Sequence, residues 1–197
     1  PGGFFIQKNG LSLESALGGS TFGIDSGDFK AHNIRIEDHR MIFDMSYPGG
    51  EVTDIPMRIP GFHNIENALA ASALGMFAGL SPNEIHAGIS SFKGVKRRFE
   101  YHLEEENHVM IVDYAPHPTE IEACLRSVKA LYPGVPLTAV FQPHLFSRTR
   151  DFLDDFGKSL GLADEVYLLD IYPAREEPIA GVTSELIFKN VSIKDVI

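Results

Sequence analysis

"VDYAPHPTEI", Val112 to Ile121, joins the end of an apolar strand to the start of a helix, and its reading sets the fold of the chain's second half. Val109 to Val112 is a short apolar run of strand length. Pro118 suits the first turn of a helix, where its missing N–H is no loss, and Thr119 with Glu122 has the spacing of a capping box. Ile121, Cys124, Leu125, Val128 and Leu131 then recur at helical spacing. The alternation continues outward: Leu137 to Phe141 is a strand, Phe152, Leu153, Phe156 and Leu160 line a helix, and Glu165 to Ile171 is a third strand. Strands alternating with helices of this length imply right-handed crossovers and a mostly parallel, Rossmann-like sheet, so the chain is of the α/β class.

Ligands of open α/β sheets bind beyond the carboxyl ends of the strands, where loops converge and helix N-termini point inward. All three strand ends here are polar. Asp113, Tyr114 and His117 follow the first, Gln142, His144, Ser147, Arg148 and Arg150 the second, and Asp170, Tyr172 and Arg175 the third. The opposite ends carry plain turns, Tyr132-Pro133-Gly134 and Gly161-Leu162-Ala163-Asp164. Each cluster also has a structural reading. His117 is either a loop residue beside a capped helix or part of a site, and Ser147 is either a helix cap or a ligand group. Arg148 and Arg150 fall in the expected first helical turn, where each positive charge opposes the macrodipole by about 0.3–1 kcal/mol. That favours a nearby anion, either a ligand or Asp151, Asp154 and Asp155.

The first half has another rhythm. Ile34 and Ile36, then Met41, Phe43 and Met45, then Ile55, Met57 and Ile59 alternate between turns, which predicts antiparallel strands. "NIENALAASALGMFAGL" follows, apolar almost all round from Ala68 to Ala78, and reads as a buried helix ended by Gly79. Ser81-Pro82-Asn83-Glu84 starts a second helix with a cap, a proline and a capping-box acid. Asn64 and Asn67 share a helical face and could present donor and acceptor to an adenine edge, although Asn64 is equally suited to an N-cap. "FKGVKRRFE" is a polar, basic connection, and the boundary is read near Gly94, giving domains 1–93 and 94–197.

Seventeen Lys and Arg against 27 Asp and Glu leave a net charge of −10 over 197 residues, which opposes loose binding to nucleic acid or anionic lipid. No apolar run is long enough to span a bilayer. The one cysteine, Cys124, excludes an intrachain disulfide and reads as a small buried hydrophobe in a reducing compartment. The chain opens on Pro1 without Met and stops on Ile197 in mid-pattern, as a fragment would.

Taken in order, "GFHNIENALAA" (Gly61–Ala71), "GVKRRFE" (Gly94–Glu100), "VDYAPHPTEI" and "FQPHLFSRTRDFLDDF" (Phe141–Phe156) resemble the Mur ligases, as does "DIYPAREEPIAGVTS" (Asp170–Ser184). The resemblance covers nearly everything from Pro60 onward, and "FQPHLFSRTR" favours the alanine-adding member over its tripeptide-recycling relative. It implies a cytoplasmic, ATP-dependent ligase of peptidoglycan synthesis, in which residues 1–93 form the later part of a central ATP-binding domain and 94–197 most of a C-terminal domain. The implied chemistry turns the lactyl carboxylate of UDP-N-acetylmuramate into an acyl phosphate with ATP and Mg²⁺; the amine of L-alanine attacks and phosphate leaves. Carried over residue by residue, the resemblance gives His63, Asn64 and Asn67 to ATP, Arg98 to its phosphates from the hinge, and Asp113 and Tyr114 to the nucleotide side of the second domain. The resemblance likewise implies catalytic roles for Arg98 and Asp113 and substrate binding for His117, His144, Ser147, Arg148 and Arg150.

Two positions depart from the family pattern: Pro116 stands where a histidine is usual and Leu145 where an arginine is common, both in the amino-acid region. No G-x-x-x-x-G-K-[ST] phosphate loop is present, and the family's metal ligands are expected upstream with it. A non-catalytic nucleotide-binding module is one competing reading. A metal-dependent hydrolase built on Asp113, His117 and His144 is another, weakened by Pro116 and Pro118, which deny that segment the helix needed to align its ligands.

Overall fold

A computed structural model describes residues 3–13, 19–189, 191 and 195–196. The chain divides into two compact units, Pro1–Lys96 and Arg97–Ile197, the division lying a few residues past Gly94.

In the first unit, β1 (Phe5–Lys8), β2 (Gly19–Ile24), β3 (Phe29–Glu37), β4 (Arg40–Tyr47) and β5 (Gly50–Met57) form one sheet in that order. The alternating apolar residues of β4 and β5 do what period-two patterning requires, Met41, Phe43, Met45, Val52, Ile55 and Met57 being buried, but in β3 Ile34 is half-buried and Ile36 exposed, past a register shift between His32 and Arg35. Asp38 and His39 both take left-handed backbone angles, the geometry of a tight hairpin turn whose twist matches the strands. β1 and β2 add a parallel half to the sheet that the sequence pattern did not disclose. "FIQK" is too short to show a period, and "GSTFGI" opens with small residues that read as a turn.

Helix α1 (Phe62–Phe77) corrects the expectation of a helix buried all round. Ile65, Leu69, Ser72 and Ala73 are buried, while Phe62, Leu74 and Phe77 are exposed. Its N-cap is Gly61 at φ 111°, so Asn64 lies inside the first turn and is not the cap. Helix α2 (Pro82–Ser91) starts as predicted: the Ser81 side chain accepts from the Glu84 amide, and Glu84 accepts from Ser81, whose hydroxyl and amide hold that carboxyl below the usual range.

The second unit contains β6 (Glu100–Glu104), β7 (Val109–Val112), α3 (Pro118–Leu131), β8 (Thr138–Phe141), α4 (Phe146–Asp151), α5 (Leu153–Leu160), β9 (Glu165–Leu168), α6 (Glu185–Phe188) and β10 (Asp195–Val196). β8, β9 and β10 form a parallel sheet in the order β10–β9–β8. β7 does not join that ladder among the described residues; it pairs antiparallel with β6 as a hairpin closed by paired backbone bonds between Glu105 and His108. The sequence reading missed β6 because the acidic run Glu104-Glu105-Glu106 looks like a solvated loop.

Strand order β8–β9–β10 advances in one direction, so right-handed crossovers lay α5 and α6 on the same face, and α3 packs against α5 there. Ile121, Leu125, Phe156, Leu160 and Ile187 from those helices pack with Ala139, Phe141, Val166 and Leu168 of the strands. Val140, which points the other way from β8, is 67 % exposed. Among the described residues no helix is long and apolar enough to cross a membrane.

Phe156 is fully buried in this core, and Phe156→Ala is expected to cost the second unit about 3–5 kcal/mol, from lost burial and the cavity left behind. Val140→Ala in the same chain is expected to stay within about 0.5 kcal/mol. Urea denaturation of the two variants beside the parent checks the contrast.

Candidate functional site

The carboxyl edge of the second unit's sheet gathers residues from three loops. The connector that opens the unit is unusual in its backbone: Arg97 and Phe99 both have left-handed φ, 62° and 45°, although neither is glycine. Such residues cost about 1–3 kcal/mol each and need outside support. Phe99 has it, because its side chain is buried and its N–H donates to Asp113 Oδ2 at 2.8 Å. Arg97 is held by its N–H to Glu100 Oε2 at 2.7 Å and by its carbonyl, which accepts from the Tyr114 amide at 2.8 Å. Its guanidinium lies 5.1 Å from the centre of the Tyr114 ring, a cation–π distance. Arg98 stands between these two anchored residues, well exposed, with its Nη1 3.6 Å from Glu120 Oε1.

His117 resolves the choice left open by its loop. It is the N-cap of α3: Nδ1 accepts from the Thr119 amide, and Glu120 Oε2 accepts from the His117 amide. The capping-box acid is therefore Glu120 and not Glu122, and the capping side chain is the imidazole itself. The ring also meets Phe152 edge-on at 4.7 Å. Glu122 pairs instead with Arg126 one turn on.

The loops after β8 and β9 are zipped together. The Leu145 amide donates to the Tyr172 carbonyl, the Tyr172 amide to the Pro143 carbonyl, and His144 bridges Tyr172 in parallel register. His144 lies between two phenols, its ring centre 6.3 Å from Tyr114 and 5.5 Å from Tyr172. Its Nδ1 is buried and has no hydrogen-bond partner among the described residues. A buried polar atom without a partner costs about 1–3 kcal/mol, which makes His144 a candidate site residue.

Leu145 is the N-cap of α4 at φ 74°, ψ 133°, a conformation that strains any side-chain-bearing residue. Ser147 is not that cap; its amide and hydroxyl both donate to the Glu176 carboxylate. These bonds, hydroxyl first, hold the Glu176 carboxyl below the usual range. α4 is six residues long, so Arg148, its third residue, lies in the first turn as expected and in the last turn as well, whereas Arg150 lies in the last turn. Arg150 is exposed and pairs with Asp151 at 2.7 Å, the internal anion. Arg148 is half-buried and makes no hydrogen bond or ion pair among the described residues.

In the first unit, His63, Asn64 and Asn67 lie within the first two turns of α1. Asn64 Nδ2 donates to the Pro60 carbonyl at 2.7 Å. Asn67 and His63 are exposed, and the Asn67 carboxamide has no partner among the described residues. No group of three His, Cys, Asp or Glu among the described residues is placed to hold a metal ion, and Asp113 and His117 are turned to the connector and to the α3 cap. This leaves the hydrolase reading without its ligand set. Sequence reasoning passed over Arg97, Glu120 and Glu176, whose parts follow from backbone geometry; the doubled Arg and the doubled Glu in "KRRFE" and "AREEP" were the visible signals.

The sequence profile of the family "Mur ligase, glutamate ligase domain" matches residues 97–196. A UDP-N-acetylmuramate–L-alanine ligase of Phocaeicola vulgatus is 48 % identical over 195 residues, covering 97 % of this chain and 43 % of that protein. One of the same name from Christiangramia forsetii is 47 % identical over 191 residues, covering 96 % and 41 %. The crystal structure of a UDP-N-acetylmuramate–alanine ligase from Thermotoga maritima superposes with a TM-score of 0.78 at 26 % identity, over 98 % of this chain and 42 % of that one. The chain thus spans less than half the length of the relatives it matches.

Behind this rim, burial and then the charge of Asp113 push the Cys124 thiol up to about 12. At pH 8 only about one thiol in ten thousand is then ionised, and the thiolate is the reactive form. Alkylation by iodoacetamide at pH 8 is expected to be at least about a hundredfold slower in the folded chain than in urea, as mass spectrometry of timed samples would show.

Proposed function

The chain belongs to the Mur ligase family, and from that premise we propose that it is part of an ATP-dependent ligase joining L-alanine to the lactyl carboxylate of UDP-N-acetylmuramate. One arrangement supports this function best: a half-buried Arg148 in α4 and a buried His144 Nδ1, neither with a hydrogen bond among the described residues, beside loops locked to each other at the sheet's carboxyl edge. A free amino acid offers a carboxylate, which a guanidinium binds in two parallel hydrogen bonds, and Arg148 supplies that partner. His144 and the flanking rings of Tyr114 and Tyr172 orient what enters. The names of the related ligases support alanine as the amino acid.

For ATP, the described residues fit two contributions. Asn67, with Asn64 Oδ1, offers amide groups suited to an adenine edge, and His63 stands beside them on α1. Arg98 offers an exposed guanidinium whose only described partner is Glu120 at 3.6 Å. An exposed pair of this kind is worth about 0–1 kcal/mol, so exchanging it for a phosphate oxygen is inexpensive. ATP supplies the phosphoryl group that activates the sugar's carboxylate. Asp113 then acts on position: through the Phe99 amide it fixes the turn that presents Arg98. Mg²⁺, which the family implies, finds no ligand set among the described residues and is not among their contributions. Such a ligase works in the cytoplasm, where its nucleotide is.

Steady-state kinetics of the full-length protein that contains this chain test the proposal. Arg98→Ala and Asp113→Ala are expected to lower kcat by at least about tenfold, or roughly 1.4 kcal/mol of transition-state stabilisation, whereas Asn67→Ala mainly raises the KM for ATP. Arg148→Ala is expected to raise the KM for L-alanine more than that for ATP. Near-normal kcat in both connector variants would remove Arg98 and Asp113 from the mechanism. The 197-residue chain alone, which lacks a phosphate loop, is expected to release no phosphate when given all three substrates.

A further inference from the structure

Glu176 lies on the loop after β9, yet its carboxylate is spent on the start of α4, the helix after β8. It accepts from the Ser147 amide at 2.9 Å and from the Ser147 hydroxyl. The first helical N–H groups have no intrahelical acceptor, and the N-cap here, Leu145, has no side chain to offer one. Leu145 is also strained, at φ 74° and ψ 133°. The segment keeps that shape because it is held from both sides: Leu145 and His144 are tied to Tyr172, and Ser147 to Glu176. His144 precedes the strained residue and Arg148 follows the clamped one. Releasing the clamp would let Leu145 relax and move both groups.

We infer that Glu176 is a positioning residue for amino-acid binding: it locks the strained turn at Leu145 so that His144 and Arg148 meet the carboxylate of the incoming amino acid. This rests on the ligase reading above. Its chemistry suits a carboxylate, because two donors, the Ser147 amide and hydroxyl, meet one oxygen each and an ionised acid is acceptor-only. A glutamine keeps one acceptor and turns an NH₂ group towards those donors. The proximity of Glu176 to Arg148 also gives that arginine a fixed negative neighbour without a direct ion pair.

The test is steady-state kinetics of Glu176→Gln, Arg148→Ala and the double variant in the full-length protein. Glu176→Gln is expected to raise the KM for L-alanine by about tenfold while leaving the KM for ATP within about twofold. In the Arg148→Ala background the same change is expected to add less than about twofold to the alanine KM, because Glu176 acts through a residue already lost. Equal losses for both substrates, or an undiminished effect in the absence of Arg148, would assign Glu176 to general stability and overturn the inference. If Glu176→Gln does not fold, Ser147→Ala decides: it removes one of the bonds and is expected to raise the alanine KM by about threefold, again sparing ATP, and no change would overturn the inference. Failure of the parent protein to ligate alanine would instead sink the ligase reading, so the two outcomes stay distinct.

Discussion

The second unit opens on the hydrogen bond from the Phe99 amide to Asp113, and much of its rim depends on that bond. The connector has two left-handed residues that are not glycine, and each would relax if left to itself. Asp113 prevents this for Phe99 because it sits at the end of β7, where the strand fixes its backbone and the hairpin with β6 fixes the strand. The bond thus converts the stability of a β-hairpin into the orientation of a turn. Arg98 is the side chain that this turn presents. The neighbouring Tyr114, whose amide is bonded to Arg97 and whose ring stacks under the Arg97 guanidinium, closes the same arrangement from the other side.

The rest of the rim follows the same logic of borrowed rigidity. Loops after parallel strands have no ladder of their own, so their shape is supplied by one another: Pro143, Leu145 and Tyr172 exchange backbone bonds, and Glu176 binds the start of α4. His144 Nδ1 and the Arg148 guanidinium, which make no hydrogen bond among the described residues, flank this held segment. That combination suits binding, because free groups on a rigid frame lose little entropy when a ligand arrives.

Much of this was legible in the residues. Period-two alternation disclosed β3, β4 and β5, helical spacing disclosed α3 and α5, and the polar strand ends disclosed the rim. Other features depend on long-range pairing or on backbone angles that no local pattern encodes. The partner of β7 was hidden because "EYHLE" mixes charge with apolar residues and its turn is acidic. The α3 cap was misassigned by one residue pair because a histidine is seldom the capping side chain, yet here Nδ1 takes that place. Glu176 could not be told from Glu177 by sequence; the left-handed turn at Ala174, φ 53°, precedes the residue that faces inward. α1 read as buried all round because its composition is apolar all round, whereas only one face is covered by its own unit.

The central claim is that Arg98 is parked on Glu120 and moves to phosphate while Asp113 keeps the turn in place. A crystal structure of the full-length protein with a non-hydrolysable ATP analogue tests it most directly. The account predicts the Arg98 guanidinium on the nucleotide's phosphate oxygens, Glu120 released to its capping role alone, and the Phe99 amide still bonded to Asp113. Bound nucleotide with Arg98 still at Glu120, or with the Phe99–Asp113 bond broken, would contradict it.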